Sequence, residues 1–215
     1  QSPLHGRLAT AGAVFGAKLG WERPNWFAPA GAEAVDRPSF EGKPNWLEAV
    51  GAEHRAIRER VAVIDQTSFA KFELSGRGVA GFLQRLADND VDRAVGSCTY
   101  TQLCNALGGI EADVTLMRLA ADRYYGVSGS GFGVRDMGWI ARHKPADVEL
   151  REVTSAYAVI NVVGPRARDV LQPLTDDDLS NAGFPYLSVR AIELGHAVVR
   201  AARVGYVGEL GWELH

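Results

Sequence analysis

The sequence predicts an α+β fold built mainly from antiparallel β-sheet. Short runs in which apolar and polar residues alternate recur along the chain, and glycine-containing turns at hairpin spacing separate several of them. Stretches with helical spacing of apolar residues fall between these runs irregularly, rather than one after every strand. This order excludes a regular succession of parallel βαβ units and is typical of an α+β chain.

Length, composition and charge narrow the class of protein. The chain has 215 residues, 47% of them hydrophobic and 23% charged, so it is long enough to bury a core. Its 23 Lys and Arg against 26 Asp and Glu leave a net charge of −3, which predicts no nucleic-acid partner. The longest uncharged stretch, Ala94 to Ile110, is diluted by polar residues and glycines, and no signal sequence opens the chain. We therefore expect no membrane partner and a cytoplasmic location, or the mitochondrial matrix if the protein is eukaryotic.

The two cysteines, Cys98 and Cys104, are predicted to be free thiols that are buried or half-buried in or near a strand. Five residues separate them, and no histidine stands at a spacing that would complete a zinc site. The sequence therefore predicts neither a disulfide nor a metal site.

Residues 1–45 differ in composition from the remainder of the chain. Aromatic residues and prolines alternate between Trp21 and Pro44, which disfavours a helix. We expect an extended strap here, lying either on the flank of this domain or on a partner domain. The domain itself is expected to span residues 46–215.

The elements of that domain follow in order. The first part is predicted to contain a helix that begins at Asn45 in a capping box with Glu48, a strand at Ala70 to Leu74, a helix at Val79 to Leu86, and strands at Thr99 to Asn105 and Ile110 to Leu119. Gly108-Gly109 joins the last two as a hairpin, because glycine accepts the positive φ angles of a tight turn. The second part is predicted to contain a strand at Tyr124 to Val127, a helix through Met137 and Ile140, a strand at Tyr157 to Val163, a helix opened by Gly164-Pro165, and strands at Ser188 to Glu193 and Ala197 to Val204.

Two carboxylates directly after the hairpin turn form the first candidate site. Glu111 and Asp113 are two residues apart and therefore share one face of the strand, while Ala112 and Val114 point to the core. Either both are solvated residues at a sheet edge, or one faces a pocket and stabilises positive charge on a reacting nitrogen.

The glycine-rich segment Ser128 to Val134 forms the second. It lacks the third glycine of a dinucleotide fingerprint, because Val134 occupies that position, and it lacks the lysine of a phosphate-binding loop. It is read either as an ordinary turn into a helix or as a helix start whose backbone amides face an anion or a ring edge.

A third candidate lies in the segment Gly205 to Trp212, where glycines imply sharp bends. The Glu209 carboxylate can accept two parallel donors, the pattern at an amino-pyrimidinone edge, and Tyr206 can pack on a ring face. An ordinary turn with a surface glutamate is the alternative.

Seven short segments, in the same order and spacing, carry a resemblance to a known family. They are Glu53 to Arg58, Val63 to Ser68, Phe72 to Gly76, Phe82 to Leu86, Asn105 to Ile110, Val163 to Pro165 and Gly205 to Glu209. Together they resemble the folate-binding domain of the glycine-cleavage T-protein (aminomethyltransferase) family. Ser2 to Leu4 and Gly20 to Phe27 resemble its dimethylglycine and sarcosine dehydrogenase branch, in the C-terminal half of those flavoproteins.

The resemblance implies tetrahydrofolate as the one-carbon acceptor and assigns roles by position. Asp113 matches the catalytic acid beside the reactive folate nitrogens, Tyr100 matches a pocket tyrosine, and Glu209 matches the carboxylate that binds the pterin edge. Tyr206 and the Val127-Ser128 stretch match further pocket wall. Two positions depart from the family pattern: Ala112 stands where an acid is usual, and Met117 where an aromatic is frequent.

The resemblance also implies what lies outside the chain. FAD is expected only in a separate N-terminal domain of the same polypeptide, which would make the iminium or formaldehyde that folate traps as methylenetetrahydrofolate. The family continues beyond the end of this chain, so we expect a fragment truncated at its C-terminal side. A non-catalytic folate-binding module and a stand-alone aminomethyltransferase of the glycine-cleavage type are the alternatives.

Overall fold

The computed structural model describes residues 1–215, and it confirms an α+β chain with antiparallel sheets. Its five helices are α1 (His5–Thr10), α2 (Leu47–Glu59), α3 (Val79–Leu86), α4 (Gly133–His143) and α5 (Ala167–Leu171). Its twelve strands are β1 (Ala13–Lys18), β2 (Trp21–Phe27), β3 (Ala62–Asp65), β4 (Ala70–Ser75), β5 (Cys98–Cys104), β6 (Ile110–Ala120), β7 (Arg123–Ser128), β8 (Glu149–Glu152), β9 (Ile160–Val163), β10 (Val189–Leu194), β11 (Ala197–Ala202) and β12 (Gly211–Leu214). None of the helices combines the length and the apolar character needed to span a bilayer.

One five-stranded sheet has the strand order β5-β6-β7-β4-β8 and contains Tyr100, Asp113, Val127 and Ser128. All its neighbouring strands are antiparallel. Helices α3 and α4 cover one face and close a core around Phe72, Leu116 and Tyr124. Ala112 and Val114 also point into this core, as their alternation along β6 predicts.

The opposite face of this sheet packs against the second five-stranded sheet, whose order is β10-β11-β12-β9-β3. Met117 and Val127 of the first sheet meet Val189 and Ala202 of the second. Helix α5 closes the far side of the second sheet around the fully buried Trp212. The chain is therefore layered as helices, sheet, sheet and helix.

The N-terminal segment is more regular than expected. Helix α1 precedes β1 and β2, which pair with each other as an antiparallel hairpin, and only residues 28–45 lack regular structure. Trp26 is buried and its indole N–H donates to Asp36 at 2.6 Å, while the Phe27 amide donates to Glu53 of α2 at 3.2 Å. The predicted extended strap is thus corrected to a helix and a hairpin anchored on this chain, and the division at residue 45 stays a prediction.

Helix α2 begins differently from the prediction. Its N-cap is Trp46, which makes no side-chain capping bond, so the expected capping box of Asn45 and Glu48 is wrong. The Asn45 side chain instead accepts from the Arg37 amide at 3.0 Å and donates to the Val35 carbonyl at 2.8 Å. Asn45 therefore organises the preceding loop rather than the helix.

The strand and helix positions from β4 to β7 and in β10 and β11 lie within about two residues of those predicted. The strand predicted at Tyr157 to Val163 is shorter, because a 3₁₀ turn at Thr154–Ala156 precedes it and pairing begins only at Ile160. In the β5–β6 turn only Gly108 has a positive φ, of 79°. Both cysteines are free, as predicted, with Cys98 buried and Cys104 half-buried.

Candidate functional site

A cavity of about 380 Å³ opens where β6 and β7 meet the start of α4 and the segment that precedes β12. Five of the six residues predicted for the site line it: Tyr100, Asp113, Val127, Ser128 and Tyr206. Glu111 lines it as well. Residues from four distant parts of the sequence therefore meet around one space.

The wall formed by β5 and β6 presents a hydrogen-bonded pair. Gln102 is the register partner of Asp113, and Tyr100 lies two residues earlier on the same face of β5. The Tyr100 hydroxyl donates to Asp113 Oδ2 at 2.9 Å. The Tyr206 ring meets the Tyr100 ring edge-on, with centroids 5.9 Å apart. The neighbouring Tyr206 hydroxyl and the Asp113 carboxylate raise the pKa of Tyr100, so this phenol remains a donor.

Glu111 is bound differently from Asp113. Its two carboxylate oxygens accept from the Asn105 amide at 2.8 Å and from the Arg135 guanidinium at 3.1 Å. These two donors lower the pKa of Glu111. Asn105 also accepts from the Leu107 and Gly109 amides, so it joins the hairpin turn to the cavity wall. Glu111 has both oxygens engaged, and Asp113 is the acid with an oxygen left free of side-chain partners.

The glycine-rich segment forms the opposite wall. Ser128, Gly129 and Phe132 line the cavity, and helix α4 begins immediately afterwards at Gly133. The Ser130 hydroxyl lies 2.8 Å from that of Ser68, which ties the segment to the β3–β4 connection. The segment is therefore a turn into a helix that also builds the site.

Asp136 lies in the first turn of α4 and is 2% exposed, although it lines the cavity. Burial raises the pKa of its carboxyl, and the neighbouring Ser128 hydroxyl and the Arg135 guanidinium oppose part of that effect. The sequence pattern does not mark Asp136 as a site residue. An acid three residues into a helix is common at any helix start, so nothing local indicated that this one is buried.

Other cavity residues were also missed. Gln66 and Phe69 come from the β3–β4 connection, and Glu213 comes from β12. The Gln66 Oε1 atom is buried and has no hydrogen-bond partner, and the buried Ser128 Oγ atom lies beside the Asp136 carboxyl. The cavity therefore offers a polar atom, Gln66 Oε1, that the chain itself leaves unpartnered.

Behind Glu213 lies a buried polar group between the two sheets. Glu213 Oε2 is 3.7 Å from His215 Nε2, and His215 Nδ1 is 3.1 Å from the Tyr125 hydroxyl. Burial lowers the pKa of His215 and raises that of Tyr125. A neutral imidazole therefore separates the cavity acid from the phenol.

Glu209 is not part of this cavity. Its carboxylate accepts from the Arg58 guanidinium of α2 at 2.8 Å, and its side chain is 23% exposed. Arg58 thus holds this carboxylate on the α2 side, and the role of Glu209 at a pterin edge, which the resemblance implies, stays a prediction. Tyr206, three residues earlier in the same segment, does line the cavity. No group of three or more His, Cys, Asp or Glu side chains is arranged to hold a metal ion.

Several enzymes are similar in sequence to this chain along its whole length. Human mitochondrial dimethylglycine dehydrogenase is 35% identical over 217 residues, which cover 100% of this chain and 25% of that protein. The 4-methylaminobutanoate oxidase (formaldehyde-forming) of Paenarthrobacter nicotinovorans is 38% identical over 218 residues, covering 100% of this chain and 26% of that protein. The chain therefore spans about a quarter of the length of these relatives.

The fold matches a solved aminomethyltransferase. The glycine cleavage system aminomethyltransferase T from Bartonella henselae superposes with a TM-score of 0.78 at 23% identity, over 99% of this chain and 52% of that one. Residues 4–215 match the GCVT N-terminal domain family. The chain is thus a member of the GCVT N-terminal domain family, related in sequence to dimethylglycine dehydrogenase.

Proposed function

We propose that this chain is the tetrahydrofolate-binding, one-carbon-accepting part of an enzyme of the dimethylglycine or sarcosine dehydrogenase type. The observation that carries the proposal is Asp113, bonded to the Tyr100 hydroxyl at the wall of a cavity to which Val127, Ser128 and Tyr206 also contribute. A carboxylate fixed beside partly apolar walls is suited to stabilise positive charge that develops on a nitrogen.

The residues around the cavity fit a reduced pterin ring. Such a ring has a polar edge with donors and acceptors, and two side chains of the cavity, the Ser128 hydroxyl and the unpartnered Gln66 Oε1, are able to pair with an edge of this kind. Val127 and Phe132 add apolar surface for the ring faces. Tyr206, whose side chain is 74% exposed, is free to pack over the opening.

The chemical role of this chain would be electrostatic. Tetrahydrofolate, when bound, supplies the nitrogens that accept a one-carbon unit. The Asp113 carboxylate lowers the energy of positive charge on such a nitrogen, because the walls replace part of the water that would otherwise screen the two. Tyr100 donates to Oδ2 and so orients the carboxylate, which leaves Oδ1 for the ligand. The chain itself thus positions, orients and partly desolvates the reacting group.

The names of the relatives suggest the source of the one-carbon unit. One is a dimethylglycine dehydrogenase and another a formaldehyde-forming oxidase, and this chain corresponds to about a quarter of each. We infer that an FAD-containing domain outside this chain oxidises an N-methyl group, and that the resulting iminium or formaldehyde is captured here.

The test uses a protein that carries this chain together with its flavin domain. Asp113→Asn is expected to lower the rate of folate-dependent product formation about 100-fold, the lower end of what one preorganised group contributes, while flavin reduction continues at the wild-type rate. Both rates are measured in one preparation by stopped-flow absorbance and by product analysis. Asp122→Asn, an exposed acid in the β6–β7 turn at the far end of β6, is the matched control and is expected to change neither rate.

The outcomes separate the candidate functions. If both rates fall together, or neither falls, Asp113 is not the charge-stabilising acid. Tetrahydrofolate binding without any coupled product would instead indicate a non-catalytic folate-binding module. Coupled product that depends on an aminomethyl donor, with no flavin involved, would indicate a stand-alone aminomethyltransferase.

A further inference from the structure

The tip of the N-terminal hairpin touches the glycine-rich wall of the cavity. Leu19 lies in the turn between β1 and β2, and its Cδ1 atom is so close to Gly131 that a Cβ at position 131 would overlap it. Gly131 has no positive φ, so its backbone angle does not require glycine, and a Cβ added there would force the Leu19 side chain to shift. Two segments more than a hundred residues apart therefore meet at this side-chain contact.

Neither turn geometry nor core packing explains a leucine at this tip. Leu19 has a φ of 50° and Gly20 a φ of 87°, the pair of left-handed residues that a two-residue hairpin turn requires. Asparagine, aspartate and glycine adopt that conformation readily, whereas leucine does so at a cost. The Leu19 side chain is 69% exposed, so burial in a core does not compensate. The contact with Gly131 is therefore the feature of Leu19 that is left to account for a leucine at this position.

The N-terminal hairpin is anchored at its base to other parts of this chain. At its base, the Trp26 indole donates to Asp36 and the Phe27 amide donates to Glu53 of α2. Val14, on the partner strand, is buried. The base of the hairpin is thus fixed to the loop before α2 and to α2 itself, and Leu19 lies at the opposite end.

The segment that Leu19 touches builds the cavity. The Phe132 amide donates to the Gly129 carbonyl at 2.9 Å, which makes residues 129–132 one tight turn. Ser130 is held from the other side by Ser68 at 2.8 Å. Gly129 and Phe132 line the cavity, and Phe132 is 58% exposed. A shift of this turn would move the Phe132 ring relative to Asp113 across the cavity.

We propose that Leu19 is a positioning residue for the cavity: the hairpin tip presses on Gly131 and thereby fixes the turn that carries Phe132. The ligand class is a flat ring whose face packs on Phe132 and Val127. The choice of tetrahydrofolate as this ligand rests on the proposed function. The coupling between the hairpin tip and the cavity wall does not depend on it.

The contact itself supplies a reciprocal test. Leu19→Ala removes the Leu19 methyl groups, including the Cδ1 that contacts Gly131. Gly131→Ala introduces a Cβ where that Cδ1 lies. We expect each single variant to speed amide hydrogen exchange in residues 129–133 of the ligand-free protein by about threefold to tenfold. In the double variant the methyl group added at position 131 occupies the space that the shortened Leu19 side chain vacates, so exchange returns toward the wild-type rate. Leu107→Ala, which alters an even more exposed leucine in the β5–β6 turn, is the control and is expected to leave exchange in 129–133 unchanged.

The ligand arm uses tetrahydrofolate, titrated calorimetrically into the same four proteins and the wild type. We expect the Kd to rise about threefold to tenfold in each single variant and to recover in the double variant. If wild-type protein does not bind tetrahydrofolate, the proposed function is refuted, and the hydrogen-exchange measurements alone then decide the role of Leu19. Equal exchange in Leu19→Ala and wild type, or additive effects in the double variant, would overturn the role of Leu19.

Discussion

Lys71 provides a quantitative test of the wall behind the cavity. Its side chain is fully buried in β4, and its ammonium donates to the Thr67 carbonyl at 2.7 Å. Thr67 belongs to the connection whose neighbours Gln66 and Phe69 line the cavity. Burial lowers the pKa of Lys71 from 10.5 to about 8, although Glu152 and Asp65 offset part of the effect.

The sign and size of the pH effect follow from this shift. Because the pKa in the folded protein is lower, the unfolded chain binds more protons between pH 8 and pH 10.5, and the free energy of unfolding rises with pH in that window. Keeping the ammonium charged and buried costs about 3 kcal/mol at neutral pH. Of this, about 2 kcal/mol is recovered between roughly pH 7 and pH 9.5 as the folded protein releases the proton.

The assay is urea unfolding, followed by tryptophan fluorescence at both pH values, of wild type and Lys71→Met. The variant loses the bond to the Thr67 carbonyl at either pH, so this loss cancels when its own two values are subtracted. We expect wild type to gain about 2 kcal/mol more than the variant between the two pH values. Lys43→Met, at an exposed lysine, is the control and is expected to behave as wild type. Equal pH dependence in wild type and Lys71→Met would refute the burial argument.

Two further predictions concern the cavity wall and the core beneath it. Tyr100→Phe removes the donor to Asp113 and, with Tyr100 partly exposed, is expected to weaken tetrahydrofolate binding or coupled turnover by about 1 kcal/mol, measured as a ratio of Kd or of rates. Unchanged values would show that Asp113 needs no orienting partner. Gly126→Ala places a Cβ in steric overlap with the buried Phe72 ring and is expected to lower the free energy of unfolding by about 1 to 3 kcal/mol. Gly138→Ala, in α4 with open space around it, is expected to raise the free energy of unfolding by about 0.5 to 1 kcal/mol. Urea unfolding measures both variants, and wild-type stability of Gly126→Ala would show that the Phe72 ring moves aside freely.

Strand β6 shows what sequence alone predicts well. Its alternation assigned Ala112 and Val114 to the core and Asp113 to the other face, and the structure has this arrangement. A strand with one core face repeats every two residues, so the pattern is local and readable. The same reasoning holds for α3, where Val79 and Phe82 are buried at helical spacing.

The N-terminal hairpin shows where local rules mislead. Pro24 argued against regular structure, yet it lies in β2 opposite Phe15, at the point where the strand register shifts. Proline lacks the backbone N–H that a regular strand pair needs. It is tolerated where the register shifts in a two-stranded sheet, because no hydrogen bond is required from it there. Pairing between β1 and β2 is a property of the two strands together, so the composition of either one alone does not predict it.

Glu209 and Asp136 show the limit of site prediction. The partner of Glu209 is Arg58, 151 residues away in sequence, and nothing in the glycine-rich turn indicates that contact. Asp136 reads as a surface acid at a helix start, and its burial arises only because α4 packs on the sheet. Position in a family pattern located Asp113 and Tyr206 at the cavity, whereas the charge environment of each acid is a tertiary property.

The charges around the cavity decide between the two readings of the glycine-rich segment. An anion at the start of α4 would need the free amides of the helix, yet the buried Asp136 carboxyl already lies in that first turn. The cavity as a whole carries four carboxyl groups and a single guanidinium: Glu111, Asp113, Asp136, Glu213 and Arg135. An anionic ligand group in this space would raise the pKa of every acid around it and be repelled, whereas a group that gains positive charge during reaction is attracted. The electrostatics therefore favour, as the ligand of the proposed site, a neutral ring whose nitrogens become cationic over a phosphate.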